Sequence, residues 1–397
     1  MTPYGRQLID EEDIQSVLDV LRSDRLTQGP IPGLFEQALC EYTGAAYASV
    51  CANGTAALHL AMLALGVSAG DKVWTSSLSF VASANAALYC GAEIDFVDID
   101  PASFNMSVCS LEQKLQAASL TDTLPKVLVV VHMAGNPVRL QEIQRLKAKY
   151  GFAIIEDACH ALGASYQGDK VGSCRYSDLC VFSFHPVKSI TSGEGGAVMS
   201  NDESLIRRVR LYCSHGISRD RLSFETENPA PWFYEQQVLG FNYRLSDIHA
   251  ALGLSQLKKL EQYLQKRRQL VSHYKQALSG LPLSFQQIDP DGESAYHLMV
   301  ILLPLADDDT LKRRLYDFLG QEKIGAQVHY IPIHRQPYYR QLYPQMQWHL
   351  PETDKYYQRA LSIPLFPAMT QADAARAANS LCRFFGDEIA GGFAAKV

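Results

Sequence analysis

The sequence predicts an α/β protein, with a large unit built on a mainly parallel sheet and a smaller α+β unit after it. Three observations carry this. Between residues 47 and 199, short apolar runs alternate with longer segments of helical spacing. Several of the runs are apolar on both faces, as strands must be when helices cover both sides of a sheet. After Met199 the alternation gives way to longer helical segments. A chain of 397 residues also exceeds what one compact core organises, which argues for two units.

A first helix is expected over 9–21, because Ile14, Val17, Leu18 and Leu21 recur at helical spacing and Asp10 to Asp13 put negative charge at its N-terminal end, where the helix dipole favours it. Leu26-Thr27-Gln28-Gly29-Pro30 is a loop broken by Gly and Pro, and 34–42 a second helix. Strand and helix pairs follow at 47–51 and 55–64, 72–75 and 81–89, 94–97 and 111–117, and 127–133 and 140–150. Strands at 153–156, 179–184 and 196–199 complete the sheet. Next come a helix at 203–213, a polar loop at 214–231 and a long helical pattern over 246–278. Its Lys266-Arg267-Arg268 stretch reads as a solvated face. Strands at 297–303 and 326–330, a helix at 311–319 and a last helix at 371–385 end the pattern. The expected division is a large domain over 1–245 and a small one over 246–397, with about the first 20 residues packing on the small domain.

Composition excludes several function classes. Hydrophobic residues are 47% and charged residues 20%, as in a globular protein, and a net charge of −6 is no nucleic-acid footprint. No apolar stretch reaches the ~18 residues of a membrane span, and Met1 to Arg6 lead into no signal-peptide core. The nine cysteines are scattered without a Cys-x-x-Cys pair, so buried free thiols are expected, with no disulfide framework and no metal site. The cytoplasm is the expected compartment.

The chemistry gathers where strands end. Pyridoxal phosphate needs an amine for its aldehyde, a carboxylate for its ring nitrogen and backbone N–H groups for its phosphate. Lys188 closes the run Val181-Phe182-Ser183-Phe184-His185-Pro186-Val187-Lys188. At the end of a buried strand a lysine can lose solvent and become a neutral nucleophile, although position alone also allows a lysine pointing to water. Asp157 ends an apolar strand, where parallel sheets carry their sites; it either meets a ring cation or caps the next helix. Glu156 beside it points the other way. Asn53-Gly54-Thr55 opens a helix after a strand, where Gly54 permits close approach and Thr55 adds a hydroxyl and an amide. Ser183 can add a second hydroxyl. Phe80 lies at the same sheet edge, as a lid on a ring or as a core residue. His160 can reach the ring, or lie on a helix surface. Each signal is common alone, and their order along one edge is not.

With these residues in place, the chain resembles the nucleotide-sugar aminotransferases of the DegT/DnrJ/StrS-like group, within PLP fold type I. Asn53-Gly54-Thr55-Ala56-Ala57-Leu58, Glu156-Asp157-Ala158-Cys159-His160, Phe182 to Lys188 and Gly193-Glu194-Gly195-Gly196 carry the resemblance. It implies pyridoxal 5'-phosphate held as a covalent aldimine at Lys188, with a pyridoxamine phosphate intermediate. It also implies Asp157 at the ring nitrogen, Gly54, Thr55 and Ser183 at the phosphate, and Phe80 stacked on the ring. Gly240-Phe241-Asn242-Tyr243-Arg244 resembles a segment that crosses a dimer interface, so a homodimer with shared active sites is implied, Asn242 touching the phosphate bound to the other subunit. A narrower resemblance, to the aminotransferases of the pseudaminic acid pathway, rests on Pro3 to Gln7, Leu26 to Pro30 and Gln327 to His334. It implies L-glutamate as donor, a UDP-linked 4-keto sugar as acceptor, and Arg6, Thr27, His329, Tyr330 and His334 near the sugar nucleotide. Tyr330 and His334 can equally be surface or core residues of a strand and loop. Related sugar 3-dehydratases carry a histidine where Lys188 stands. Another UDP- or dTDP-linked keto sugar, or a non-catalytic PLP-binding regulator, are the alternatives.

Overall fold

The computed structural model describes residues 1–227, 229–305 and 310–390. The first part of the chain runs α1 (Glu11–Leu21), α2 (Ile31–Thr43), β1 (Tyr47–Cys51), α3 (Gly54–Ala64), β2 (Lys72–Ser76), α4 (Ala82–Tyr89), β3 (Glu93–Val97), α5 (Val108–Ser119), β4 (Val127–Val131) and α6 (Leu140–Tyr150). It continues through β5 (Ala153–Asp157), β6 (Ser165–Tyr166), β7 (Asp169–Lys170), β8 (Leu179–Ser183), β9 (Gly196–Ser200), α7 (Glu203–Cys213), β10 (Ile217–Ser218) and β11 (Glu235–Gln236). The remainder is α8 (Asp247–Leu257), α9 (Leu260–Ala277), β12 (Ser284–Phe285), β13 (Gly292–Glu293), β14 (Met299–Leu302), α10 (Thr310–Gln321), α11 (Pro337–Leu342), α12 (Pro351–Arg359), β15 (Ala360–Ile363) and α13 (Gln371–Ala390).

Seven strands form one α/β sheet in the order β1-β9-β8-β5-β4-β2-β3. From β8 to β3 the pairing is parallel, and β9 runs antiparallel to both β8 and β1. The carboxyl ends of β1, β2, β4, β5 and β8 therefore share one edge. Side-chain alternation assigns the two faces. Val127 and Val129 pack with Leu58, Ala61 and Ala84 of α3 and α4, while Leu128 and Val130 pack with Leu111, Leu115 and Ile143 of α5 and α6. This two-sided burial is why β4 is apolar throughout. The strand expected to reach residue 133 stops at Val131, because Ala134 takes a left-handed φ of 59° in a tight turn that keeps Met133 and Ala134 buried. Apolar character outlasts the strand there.

The pattern over 246–278 is two helices, separated at Lys258 and Lys259. The Lys259 ammonium turns back onto α1, pairing with Asp10 and, at 3.0 Å, with Asp13. Asp13 is fully buried and accepts from Ser255 Oγ and Gln256 Nε2, both at 2.6 Å. Helix α8 also lies on α2, where a methyl on Gly253 would come within 2.7 Å of the Phe35 ring. The expected solvated face of α9 needs correcting at Arg267. Tyr263, Leu264, Leu270, Val271 and Tyr274 define the buried face, and residue 267 falls on it at helical spacing. Its Nη1 donates to the carbonyls of His297 at 3.1 Å and Leu365 at 2.9 Å, and burial pulls its pKa down to about 10.

Strands β12, β14 and β15 form an antiparallel sheet, whose core joins Ile301 and Leu361 to Tyr274, Leu315 and Leu381 of α9, α10 and α13. The strand expected over 326–330 is reduced to one bridge, Gln327 to Ser362. The expected loop over 214–231 carries β10, which pairs with β11. Residues 306–309 and 391–397 of the expected small domain lie outside the described residues. Among the described residues no helix is long and apolar enough to cross a membrane.

Candidate active site

A cavity of about 680 Å³ opens at the carboxyl edge of the sheet, within the range for small-molecule sites. Its walls include Gly54 and Thr55 after β1, Ser79 and Phe80 after β2, Asp157 at the end of β5, and Ser183 and Lys188 after β8. His160, His329 and Tyr330 complete the wall, together with Tyr4, Tyr243 and His297.

The N-terminus of α3 is built to receive an anion. Asn53 caps it, its side-chain oxygen accepting from Ala56 N at 2.8 Å. The N–H groups of Gly54 and Thr55 have no partner among the described residues, as the first turn of a helix leaves them. Gly54 is required by packing: a Cβ there would lie 2.8 Å from Ser183 Cβ. The glycine thus lets α3 close onto β8 and puts the Ser183 hydroxyl beside the free N–H groups.

Asp157 is buried. Its Oδ2 accepts from Ser83 Oγ at 2.6 Å, and its Oδ1 from Cys159 N at 3.2 Å. Ser79 Oγ pairs with Ser83 Oγ at 2.6 Å, so the loop after β2 orients the carboxylate. No cation pairs with it among the described residues. A buried carboxylate without a cation is costly, so the cavity suits a group with a protonated ring nitrogen. Glu156 does point away, to His132 Nε2 at 2.9 Å and Ser177 on the opposite face.

Lys188 is half-buried, and its amine makes no hydrogen bond among the described residues. Burial lowers its pKa, with Cys159 and Asp157 opposing the shift. The wall beyond it carries three buried histidines. Tyr330 Oη and His160 Nε2 are hydrogen-bonded at 3.0 Å, and the His160 ring lies 4.3 Å from that of His297. His329 Nδ1 meets Ser362 Oγ at 2.9 Å, and its ring packs on Tyr4 at 5.2 Å. Burial pushes His160 and His297 well below the usual histidine value and His329 to about 4, and the Lys188 charge adds to each shift. Burial thus disfavours the charged form of all three rings and of the Lys188 amine.

Phe80 stands 56% exposed with its ring in tilted contact with that of Tyr330, centroids 6.0 Å apart, so a planar group could rest against the exposed face of Phe80. Other candidates are not brought together here. Arg6 is exposed and lines a narrow crevice beside Lys188, Pro186 and Ser189. Thr27 and Asn242 are exposed and do not line the cavity. His334 is buried behind the wall with both ring nitrogens engaged, by Ser77 and by Asp354. Sequence reasoning missed Ser79 and Ser83, which stand four residues apart after a strand at the same edge, and that position was the available signal. It also missed His297, which carries no local signal because Arg267 and Ala134 place it from afar.

Residues 7–382 match the DegT/DnrJ/EryC1/StrS aminotransferase family. The chain is 41% identical over 377 residues to the UDP-4-amino-4,6-dideoxy-N-acetyl-beta-L-altrosamine transaminase of Campylobacter jejuni serotype O:2, a span of 94% of this chain and 95% of that one. Among solved structures, Helicobacter pylori PseC, an aminotransferase involved in the biosynthesis of pseudoaminic acid, superposes with a TM-score of 0.88 at 33% identity, over 97% of this chain and 99% of that one. The PMP-form of the Streptococcus pneumoniae putative sugar aminotransferase Spr1654 also superposes at 0.88, at 25% identity over 98% and 100% of the two chains.

Proposed function

Because the chain belongs to the DegT/DnrJ/EryC1/StrS aminotransferase family, we propose that it aminates C4 of a UDP-linked 2-acetamido-2,6-dideoxy-4-keto-L-sugar, giving UDP-4-amino-4,6-dideoxy-N-acetyl-β-L-altrosamine with L-glutamate as donor. It is an enzyme, a sugar-nucleotide transaminase whose pathway is pseudaminic acid biosynthesis. The observation that carries the reading is one cavity joining a half-buried lysine, a buried carboxylate and a helix N-terminus that have, among the described residues, no hydrogen-bond partner, no cation and no acceptor respectively. The 41% identity to an altrosamine transaminase supports the sugar.

The residues fit pyridoxal phosphate. Bound there, it supplies an electron sink for the carbon that loses or gains a proton. Lys188 Nζ would hold it. The amine, lowered in pKa by burial, takes the proton from the donor's α-carbon and returns one to C4 of the sugar. Asp157 keeps the ring nitrogen protonated, and the Ser79–Ser83 pair holds Asp157 in line. The N–H groups of Gly54 and Thr55, with Ser183 Oγ, would hold the phosphate. Phe80 would cover one ring face, and His160 would stand near the ring.

The reading includes a homodimer with shared sites. Leu222, Trp232 and Leu239 are 95%, 80% and 82% exposed on the segment leading to Asn242, and apolar groups so placed call for a partner surface. Asn242 would then serve the partner's phosphate site. The proposed compartment is the cytoplasm, which suits nine free thiols.

The test supplies the purified protein with pyridoxal phosphate, glutamate and a panel of UDP-4-keto sugars differing at C5, and identifies the amino sugar by NMR. Conversion of the L-arabino ketose is expected. Conversion of the D-xylo ketose alone would overturn the substrate and leave the transamination standing.

A further inference from the structure

The loop after β2 and the segment 329–335 are joined behind the cavity wall by a buried hydrogen-bonded chain. Ser77 follows β2 and is fully buried. Ile333 N donates to Ser77 O at 2.9 Å, and His334 N donates to Ser77 Oγ at 3.0 Å. The same hydroxyl donates to His334 Nδ1 at 2.7 Å. On the far side, His334 Nε2 lies 3.2 Å from Asp354 Oδ1, which also accepts from Arg335 Nε at 2.7 Å. A single neutral tautomer, protonated at Nε2, satisfies both ring contacts. Asp354 is itself placed by α12, whose first turn donates to Asp98 through Glu352 N at 2.9 Å and Thr353 Oγ1 at 2.7 Å.

The clip faces outward through short chain lengths. Ser77 precedes Phe80 by three residues and His334 follows Tyr330 by four. The two rings so held make a tilted contact on the cavity wall, with centroids 6.0 Å apart. The same loop carries Ser79, which reaches Asp157 through Ser83.

We propose that His334 is a positioning residue: the Ser77–His334–Asp354 clip sets where Tyr330 stands against Phe80 on the cavity wall, and thereby the affinity for the nucleotide sugar, without touching substrate. The inference rests on the sugar-transaminase reading. Phe80 serves the cofactor ring in both half-reactions and Asp157 keeps its own bond from Ser83; what the clip releases is the Tyr330 side, against which a bulky sugar nucleotide rests and small glutamate does not. Loosening the clip therefore penalises one substrate and spares the other.

The test follows the two half-reactions separately in the holoenzyme by absorbance, for the parent and for Ser77→Ala, His334→Ala, the double variant and His334→Asn. The keto-sugar KM is expected to rise about tenfold in each alanine variant, as loss of one buried hydrogen bond allows. The double variant should rise no further than the single ones, since both break one chain. The glutamate half-reaction should change by less than about threefold. Asn, whose amide oxygen can accept from Ser77, should restore most of the affinity. An unchanged KM in Ser77→Ala with a raised KM in His334→Ala would make His334 a substrate contact and overturn the proposal. A lower melting temperature with both KM values intact would overturn it as well. A parent enzyme that processes glutamate but no sugar nucleotide would remove the functional reading, and the clip's role with it.

Discussion

In the proposed reaction Lys188 and Asp157 divide the chemistry. The amine needs to be neutral to move a proton, and burial lowers its pKa in that direction. The carboxylate needs to stay charged in a dry site, and two donors hold it until a ring cation arrives. Lys188→Ala should lower turnover by more than about a thousandfold while the fold and cofactor binding persist. Asp157→Asn should keep cofactor but slow both half-reactions by about a hundredfold or more. Steady-state rates and the visible spectrum of each variant check this, and near-normal rates in either would contradict the assignment. Both residues stood out in the sequence because Asp157 ends an apolar strand and Lys188 follows one. Ser83 and His297 did not, since their place depends on contacts with Asp157 and Arg267 that lie far off in the chain.

Elements differ in how openly the sequence declares them. Strand β4 was the most legible, because burial on both faces leaves an uninterrupted apolar run. The break between α8 and α9 was not legible, because helical spacing continues across it, while Lys259 at the break pairs with Asp10 and Asp13 far off in the chain. Arg267 misled for a related reason: two cationic neighbours suggested solvent, while periodicity alone put it on the buried face. The start of α3 was legible, and it carries a prediction. Gly54→Ala would force a Cβ to within 2.8 Å of Ser183, pushing α3 from β8. Phosphate-group affinity should fall by about tenfold or more, measured as cofactor dissociation by absorbance or fluorescence. Unchanged affinity would mean the helix N-terminus does not hold the phosphate.

At the scale of the whole molecule, the buried neutral histidines tie stability to pH. His329 falls from 6.5 to about 4 on folding, and His160 and His297 shift the same way. Between those values the unfolded chain binds protons the folded one does not, so stability is complete above pH ~6.5 and declines as pH falls toward 4. His329 alone should remove about 2 kcal/mol between pH 7.5 and 5. Urea unfolding of the cofactor-free protein at the two pH values checks this, and equal stabilities would contradict it. The proposed shared sites make a second prediction. Neither Lys188→Ala nor Asn242→Ala should be fully active alone, but refolding them together at equal amounts should restore about one quarter of parental activity, from mixed dimers with one intact site. No recovery would place Asn242 outside the partner's site. The central claim concerns one lysine out of the whole chain. Incubation with pyridoxal phosphate, reduction with borohydride and peptide mapping should give a single pyridoxyl label, on the peptide containing Lys188, and none in Lys188→Ala. A label on another lysine in the parent protein would contradict it.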